Sequence, residues 1–171
     1  TQPCSSAASD VYKRQPRLEP NVLQAIVDLT EPLVDWDNID IILGIEAMGL
    51  PLTAPLAMRT GVPMVIARKR NYGLEGEVQI NQQTGYSKGS IYLNDIKAGE
   101  RIAIIDDVLS TGGTMRSVIE GVKQTKASIE NIVIVVEKGD GMQNLKQDYP
   151  SIRFDSLVKL HMDGEKIIVT D

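Results

Sequence analysis

Four short runs rich in isoleucine and valine constrain what this chain can become: "IDIILGI" (39–45), "VPMVIA" (62–67), "RIAIID" (101–106) and "NIVIVVEKG" (131–139). Each is nearly continuous in apolar side chains, the pattern of a strand buried on both faces. Segments with helical spacing lie between them. Residues 20–34 carry Val22, Leu23, Ile26, Val27, Leu29 and Leu33, with Pro20 suited to a first turn and Pro32 to a break near the end. "AMGLPLTAPLAMRTG" (47–61) predicts a second helix closed by Gly61. Met115, Val118, Ile119 and Val122 follow i, i+3, i+4, i+7 and predict a third, packed by one face on the sheet. Beyond it, "MQNLKQDY" (142–149) reads as a short helix and "RFDSLVKL" (153–160) as a fifth strand. "MDGEKIIV" (162–169) reads as a terminal hairpin turning at Asp163-Gly164. Strands alternating with helices require right-handed crossovers, hence an α/β fold with a doubly wound, mostly parallel sheet and flanking helices.

The 171 residues suit one domain with a sizeable core. The first fifteen, "TQPCSSAASDVYKRQ", have neither strand nor helix period and no apolar signal core. They are expected to be a disordered or non-native leader (1–15), leaving 16–171 as the domain. Residues 68–90, "RKRNYGLEGEVQINQQTGYSKGS", are polar and lack a clear period, which predicts a long loop. A net charge of −5 argues against nucleic acid as a partner, and no apolar run is long enough to predict a membrane span. The single Cys4 excludes an internal disulfide and fits a reducing cytoplasm.

The chemistry concentrates in "IAIIDDVLSTGGT" (102–114). In doubly wound folds, ligands gather at the carboxyl ends of the strands. A strand ending at Asp106 would deliver Asp106 and Asp107 to that edge. The turn Ser110, Thr111, Gly112, Gly113, Thr114 would open the next helix, where hydroxyls, close-approaching backbone and the helix dipole suit a phosphate. On residue type alone, the acids could be ordinary strand-end carboxylates before a plain turn. A Walker-type site requires a G-x-x-x-x-G-K-[ST] loop, and the chain contains no Gly-Lys dipeptide. A dinucleotide site requires G-x-G-x-x-G after the first strand, which is also missing.

Across these thirteen consecutive positions the run resembles the phosphoribosyl-pyrophosphate (PRPP) signature of type I phosphoribosyltransferases. The resemblance implies that family's fold, with a small and incomplete hood. It implies that residues 110–114 hold the 5′-phosphate, while Asp106 and Asp107, as catalytic carboxylates, face the ribose hydroxyls and a Mg2+ chelate. "GIEAMGLP" (44–51) resembles the pyrophosphate loop of adenine phosphoribosyltransferases and their archaeal relatives, implying a role for Glu46, Ala47, Met48 and Gly49. The adenine enzymes have arginine where this chain has Met48. By the same resemblance Arg68, Lys69 and Arg70 neutralise pyrophosphate across a homodimer interface, and residues 71–89 close as a lid. Without it, these are a turn and a solvated cationic cluster.

Lys138 follows Thr114 by 24 residues, a spacing that resembles the lysine of hypoxanthine-guanine enzymes that bonds the 6-oxo group. An ammonium donates and cannot accept, so it favours an oxo substituent over the amino group of adenine. A surface lysine at a strand end is the plain alternative. Two departures matter: Gly85 stands where adenine enzymes carry a glutamate, and Ser110 where hypoxanthine-guanine enzymes carry an aspartate. The resemblance therefore carries over no group for the purine's proton. His161 reads as structural or solvated, and Trp36 as a packing anchor.

From about residue 18 onward the chain looks most like the archaeal hypoxanthine/guanine phosphoribosyltransferases. The implied reaction is purine salvage: PRPP and hypoxanthine or guanine give the nucleoside monophosphate and pyrophosphate. Two alternatives stay open, an adenine phosphoribosyltransferase and a non-catalytic PRPP-sensing regulator of the same fold. A regulator usually needs a helix-turn-helix partner, and the sequence offers no basic helical segment for one.

Overall fold

A computed structural model describes residues 17–84, 87–163 and 166–170; residues 1–15, expected to be a leader, and Gly85, Gly164 and the side chain of His161 lie outside what it describes. Helix α1 (Pro20–Thr30) leads through two 3-10 turns into β1 (Ile41–Ile45), then α2 (Leu50–Thr60) and β2 (Met64–Ala67). Strands β3 (Val78–Thr84) and β4 (Ser87–Leu93) come next. The chain continues through β5 (Arg101–Leu109), α3 (Gly113–Gln124), β6 (Ser128–Lys138), α4 (Gly141–Asp148), β7 (Arg153–Asp163) and β8 (Lys166–Thr170). Six strands form one sheet in the order β2-β1-β5-β6-β7-β8, parallel throughout except for the β7–β8 pair. The doubly wound architecture is the one the alternation of elements demands.

That order reverses direction once. From β1 the chain steps outward to β2 on one side, and from β5 it steps to β6 and β7 on the other. Right-handed crossovers then put α2 and α3 on opposite faces. Burial follows this division: Ala103 and Ile105 pack with Val27, Leu52 and Leu56, whereas Ile102 and Ile104 pack with Met115, Val118, Ile119 and Val122. Strand β5 pairs with β1 only as far as Gly44↔Ile105, yet continues along β6 to Leu109↔Glu137. A crevice opens where β1 and β5 part, at the point where such sheets bind ligands.

Several expectations need correction. Residues 68–90 are not a period-free loop: β3 and β4 pair as an antiparallel hairpin, so the expected 71–89 lid is largely sheet. Val78, Ile80, Ile91 and Leu93 share one face and pack on α3. Their two-residue alternation is too sparse among glutamines and asparagines to mark a strand by pattern. Strand β5 runs past Asp106 to Leu109 because β6 keeps supplying partners. Helix α1 ends at Thr30, earlier than position 34, and Glu31–Leu33 tightens into a 3-10 turn around Pro32. Trp36 does anchor packing, its indole N–H donating to Glu31 O at 2.8 Å.

The opposite end of the β1–β5 pair is clamped by charge. The Arg101 backbone N–H and Nε donate to Asp40 Oδ2 at 2.9 and 3.0 Å, Nη2 donates to Oδ1 at 2.9 Å, and Asp40 N–H donates to Arg101 O at 2.8 Å. The hydrogen bonds from Arg101 hold Asp40 at about 2, below the ordinary 3.8. A carboxylate depressed on folding stabilises above its unfolded value, and that contribution is lost as pH falls through the folded one. Asp40→Asn should therefore flatten the acid limb of stability between pH 4 and 2, as measured by denaturant unfolding across that range. An unchanged acid limb would remove the clamp from the account.

Candidate active site

Residues 46–49 join β1 to α2, and a close backbone approach sets their path. A Cβ on Gly49 would lie 2.7 Å from Ile45 N and 3.0 Å from Ile105 O. Only glycine lets the turn fold back across the strand end, next to Asp106. Gly49 N–H donates to Ile45 O at 3.0 Å, and the buried Thr53 hydroxyl donates to Gly49 O at 3.1 Å. Glu46 Oε2 accepts the Lys69 N–H at 2.8 Å, which ties this turn to the exit from β2. The Glu46–Ala47 peptide is cis.

Across the crevice, Asp106, Val108, Leu109 and residues 110–115 line a cavity of 210 Å³. Ser110 and Thr111 are exposed, whereas Gly112 is buried and takes φ +79° to turn the chain into α3. A helix start of this kind offers its first N–H groups and its dipole to an anion. Asp106 lines that cavity on the α3 side, in step with Ile102 and Ile104, and Asp107 follows it in the strand. Asp106 is half-buried. Burial first, and then the neighbouring Asp107 carboxylate, push it up to about 8, while the Lys69 ammonium acts against them. The crevice thus holds an acid pair that excess cationic charge would stabilise.

The structure brings residues 46–49, Lys69, Asp106, Asp107 and the 110–114 turn to one edge of the sheet. It does not bring the other two cations with them. Arg68 lies over the Tyr72 ring at 4.7 Å, in a separate cavity with Met64, Leu74 and Asn94, and Arg70 is exposed. Lys138 is half-buried at the end of β6, three residues before Gly141, whose N–H donates to Ser110 O at 3.0 Å. Sequence reasoning missed Thr53, which fixes the first turn, and Gly141, which touches the second. Glycine at a first helical position is a poor helix former, and that was the available signal for Gly141.

Comparison with known proteins agrees with this geometry. Residues 9–163 match the model of the phosphoribosyl transferase domain family. A hypoxanthine/guanine phosphoribosyltransferase of Methanothermus fervidus is 44% identical over 157 residues, 91% of this chain and 82% of its own. One from Methanohalobium evestigatum is 42% identical over 156 residues, covering 91% and 80%. Among solved structures, an adenine phosphoribosyltransferase of Rhodothermus marinus superposes with a TM-score of 0.71 at 26% identity, over 83% of this chain and 81% of that one.

The raised Asp106 makes a stability prediction. A carboxyl that ionises near the ordinary 3.8 when unfolded but at about 8 when folded costs stability as pH rises between those values. Asp106→Asn cannot ionise. It should raise the melting temperature of the metal-free protein at pH 8, with the gain shrinking toward pH 4. Parallel melting curves for the two proteins across that range would contradict the assigned burial cost.

Proposed function

Because the chain belongs to the phosphoribosyl transferase domain family, we propose that it is a purine-salvage phosphoribosyltransferase, moving the 5-phosphoribosyl group of PRPP onto hypoxanthine or guanine. The products are the nucleoside monophosphate and pyrophosphate. The observation that carries this reading is the crevice where β1 and β5 part. Beside it lies a cavity lined by Asp106 and residues 108–115, and the proposal seats a phosphate there. The names and identities of the archaeal relatives support the choice of base.

In this reading, the residues 110–114 seat the 5′-phosphate through backbone N–H groups and hydroxyls. Asp106 and Asp107 accept hydrogen bonds from the ribose diol and favour positive charge at C1. The C1–O bond breaks toward an oxocarbenium-like state as a purine nitrogen forms its bond to C1. Pyrophosphate departs with the bonding pair. Glu46, Ala47, Met48 and Gly49 border the leaving group, and Lys69 offsets its charge. Arg68 and Arg70 would join it through a rearrangement or a second copy of the chain. Positioning supplies most of the acceleration.

Magnesium fits the donors present. Among the described residues, no group of three or more His, Cys, Asp or Glu stands ready to cage a metal. Two adjacent carboxylates suit an ion that keeps its waters and arrives on substrate phosphates. Asp106 and Asp107 would hold it, and when bound it takes up charge on the leaving pyrophosphate. Lys138 donates to the 6-oxo group of the base. A homodimer is part of the proposal, and Met58, Tyr72 and Leu74 are exposed apolar side chains that a second copy would cover. Cytoplasmic action is proposed too. No described helix is long and apolar enough to cross a membrane.

The test is pyrophosphate release from Mg-PRPP with hypoxanthine, guanine, xanthine and adenine in parallel. The proposal predicts turnover with hypoxanthine and guanine at least tenfold above adenine. A preference for adenine would overturn the base assignment, and PRPP binding without release for any base would make the protein a sensor. Lys138→Ala should raise the oxopurine KM about tenfold, roughly 1.4 kcal/mol, with the PRPP KM unchanged. Asp107→Asn should lower kcat about 10²-fold. Wild-type kinetics in either variant would strip that residue of its role.

A further inference from the structure

Helix α4 does not touch the reacting atoms, yet its first residue presses on the phosphate turn. A Cβ on Gly141 would lie 2.1 Å from Ser110 O, 2.7 Å from Thr111 C and 2.8 Å from Gly112 N. All three are backbone atoms of the turn, which cannot rotate aside as a side chain would. Gly141 N–H also donates to Ser110 O at 3.0 Å. One helical turn on, the buried Leu145 sits beneath Gly112, its Cγ and Cδ1 each 3.2 Å from where a Gly112 Cβ would be.

Helix α4 cannot retreat freely from this contact. It is braced against α3 by the Arg116–Asp148 ion pair and by Tyr149, whose hydroxyl donates to Glu120 Oε1 at 2.9 Å. Lys123 Nζ stands 4.4 Å from the centre of the Tyr149 ring. Helix α3 begins in the same turn that Gly141 supports, so the turn is held between the starts of two mutually braced helices.

We infer that Gly141, backed by Leu145, is the positioning residue that fixes the shape of the 110–114 turn for a sugar phosphate. The inference rests on the reading of that turn given under Proposed function. Adding one methyl at 141 displaces the Ser110 carbonyl and the Thr111–Gly112 peptide, and with them the N–H directions that an anion needs. Chemistry at C1 and recognition of the base are untouched once the phosphate is seated.

The test compares wild type, Gly141→Ala, Leu145→Ala and Val27→Ala. Val27 is a buried residue of α1 in the other core cluster, so its variant reports general destabilisation alone. Each protein is assayed for ribose 5-phosphate affinity, for KM of PRPP and of hypoxanthine, and for melting temperature. Gly141→Ala should weaken ribose 5-phosphate and raise the PRPP KM at least tenfold, with the hypoxanthine KM within twofold and kcat at saturating PRPP within threefold. Leu145→Ala should do the same to a smaller degree and decides the matter if Gly141→Ala does not fold. Val27→Ala should lower the melting temperature without moving the PRPP KM. Variants at 141 or 145 that bind ribose 5-phosphate like wild type would overturn this inference and leave the function standing. Wild type that ignores ribose 5-phosphate would overturn the reading of the turn itself.

Discussion

Everything in this molecule depends on where two neighbouring strands stop pairing. β1 and β5 are hydrogen-bonded from Ile41↔Ile102 to Gly44↔Ile105, and then separate because their following helices lie on opposite faces of the sheet. The parting needs no special residue. It is forced by strand order and the handedness of crossovers. Once the strands part, their two exit turns lie at the same edge of the sheet, and each can be specialised. The turn after β1 folds tightly through Gly49 and Thr53, and the turn after β5 opens a helix.

The crevice is costly to build as well as useful. Two adjacent carboxylates at a half-buried strand end oppose each other, and burial pushes Asp106 up to about 8. Such a pair is better suited to a cationic or hydroxyl-bearing ligand than to the empty protein. The opposing strand ends carry the reverse arrangement, where Asp40 and Arg101 satisfy each other through side chain and backbone. One end of the β1–β5 pair is electrostatically closed, and the other carries two carboxylates that oppose each other.

Much of this was legible in the sequence, for identifiable reasons. The runs around Ile42, Ile104 and Ile132 are buried on both faces, so their apolar continuity survives any detail of packing. The turn 110–114 was legible as a strand-to-helix junction because small and hydroxylated residues follow an apolar strand in consecutive positions. The β3–β4 hairpin was not. Among the described residues of the hairpin, Val78, Ile80, Ile91 and Leu93 meet the core, and their signal is lost among polar neighbours. The cationic cluster "ARKR" suggested three equivalent charges, but a strand exit turns successive side chains apart, sending Arg68 to Tyr72 and leaving Lys69 near Asp106. Gly141 escaped because its importance lies in contact with Ser110, far away in the chain.

The central claim is that the strand-to-helix junction after β5 grips a sugar phosphate. It is tested most directly by following backbone amide resonances while ribose 5-phosphate is added to the isotopically labelled protein. The account predicts saturable shifts concentrated at Thr111, Gly112, Gly113 and Thr114, with Arg101 and Asn131 at the far end of the sheet unmoved. Saturable shifts centred elsewhere, with the junction silent, would contradict it.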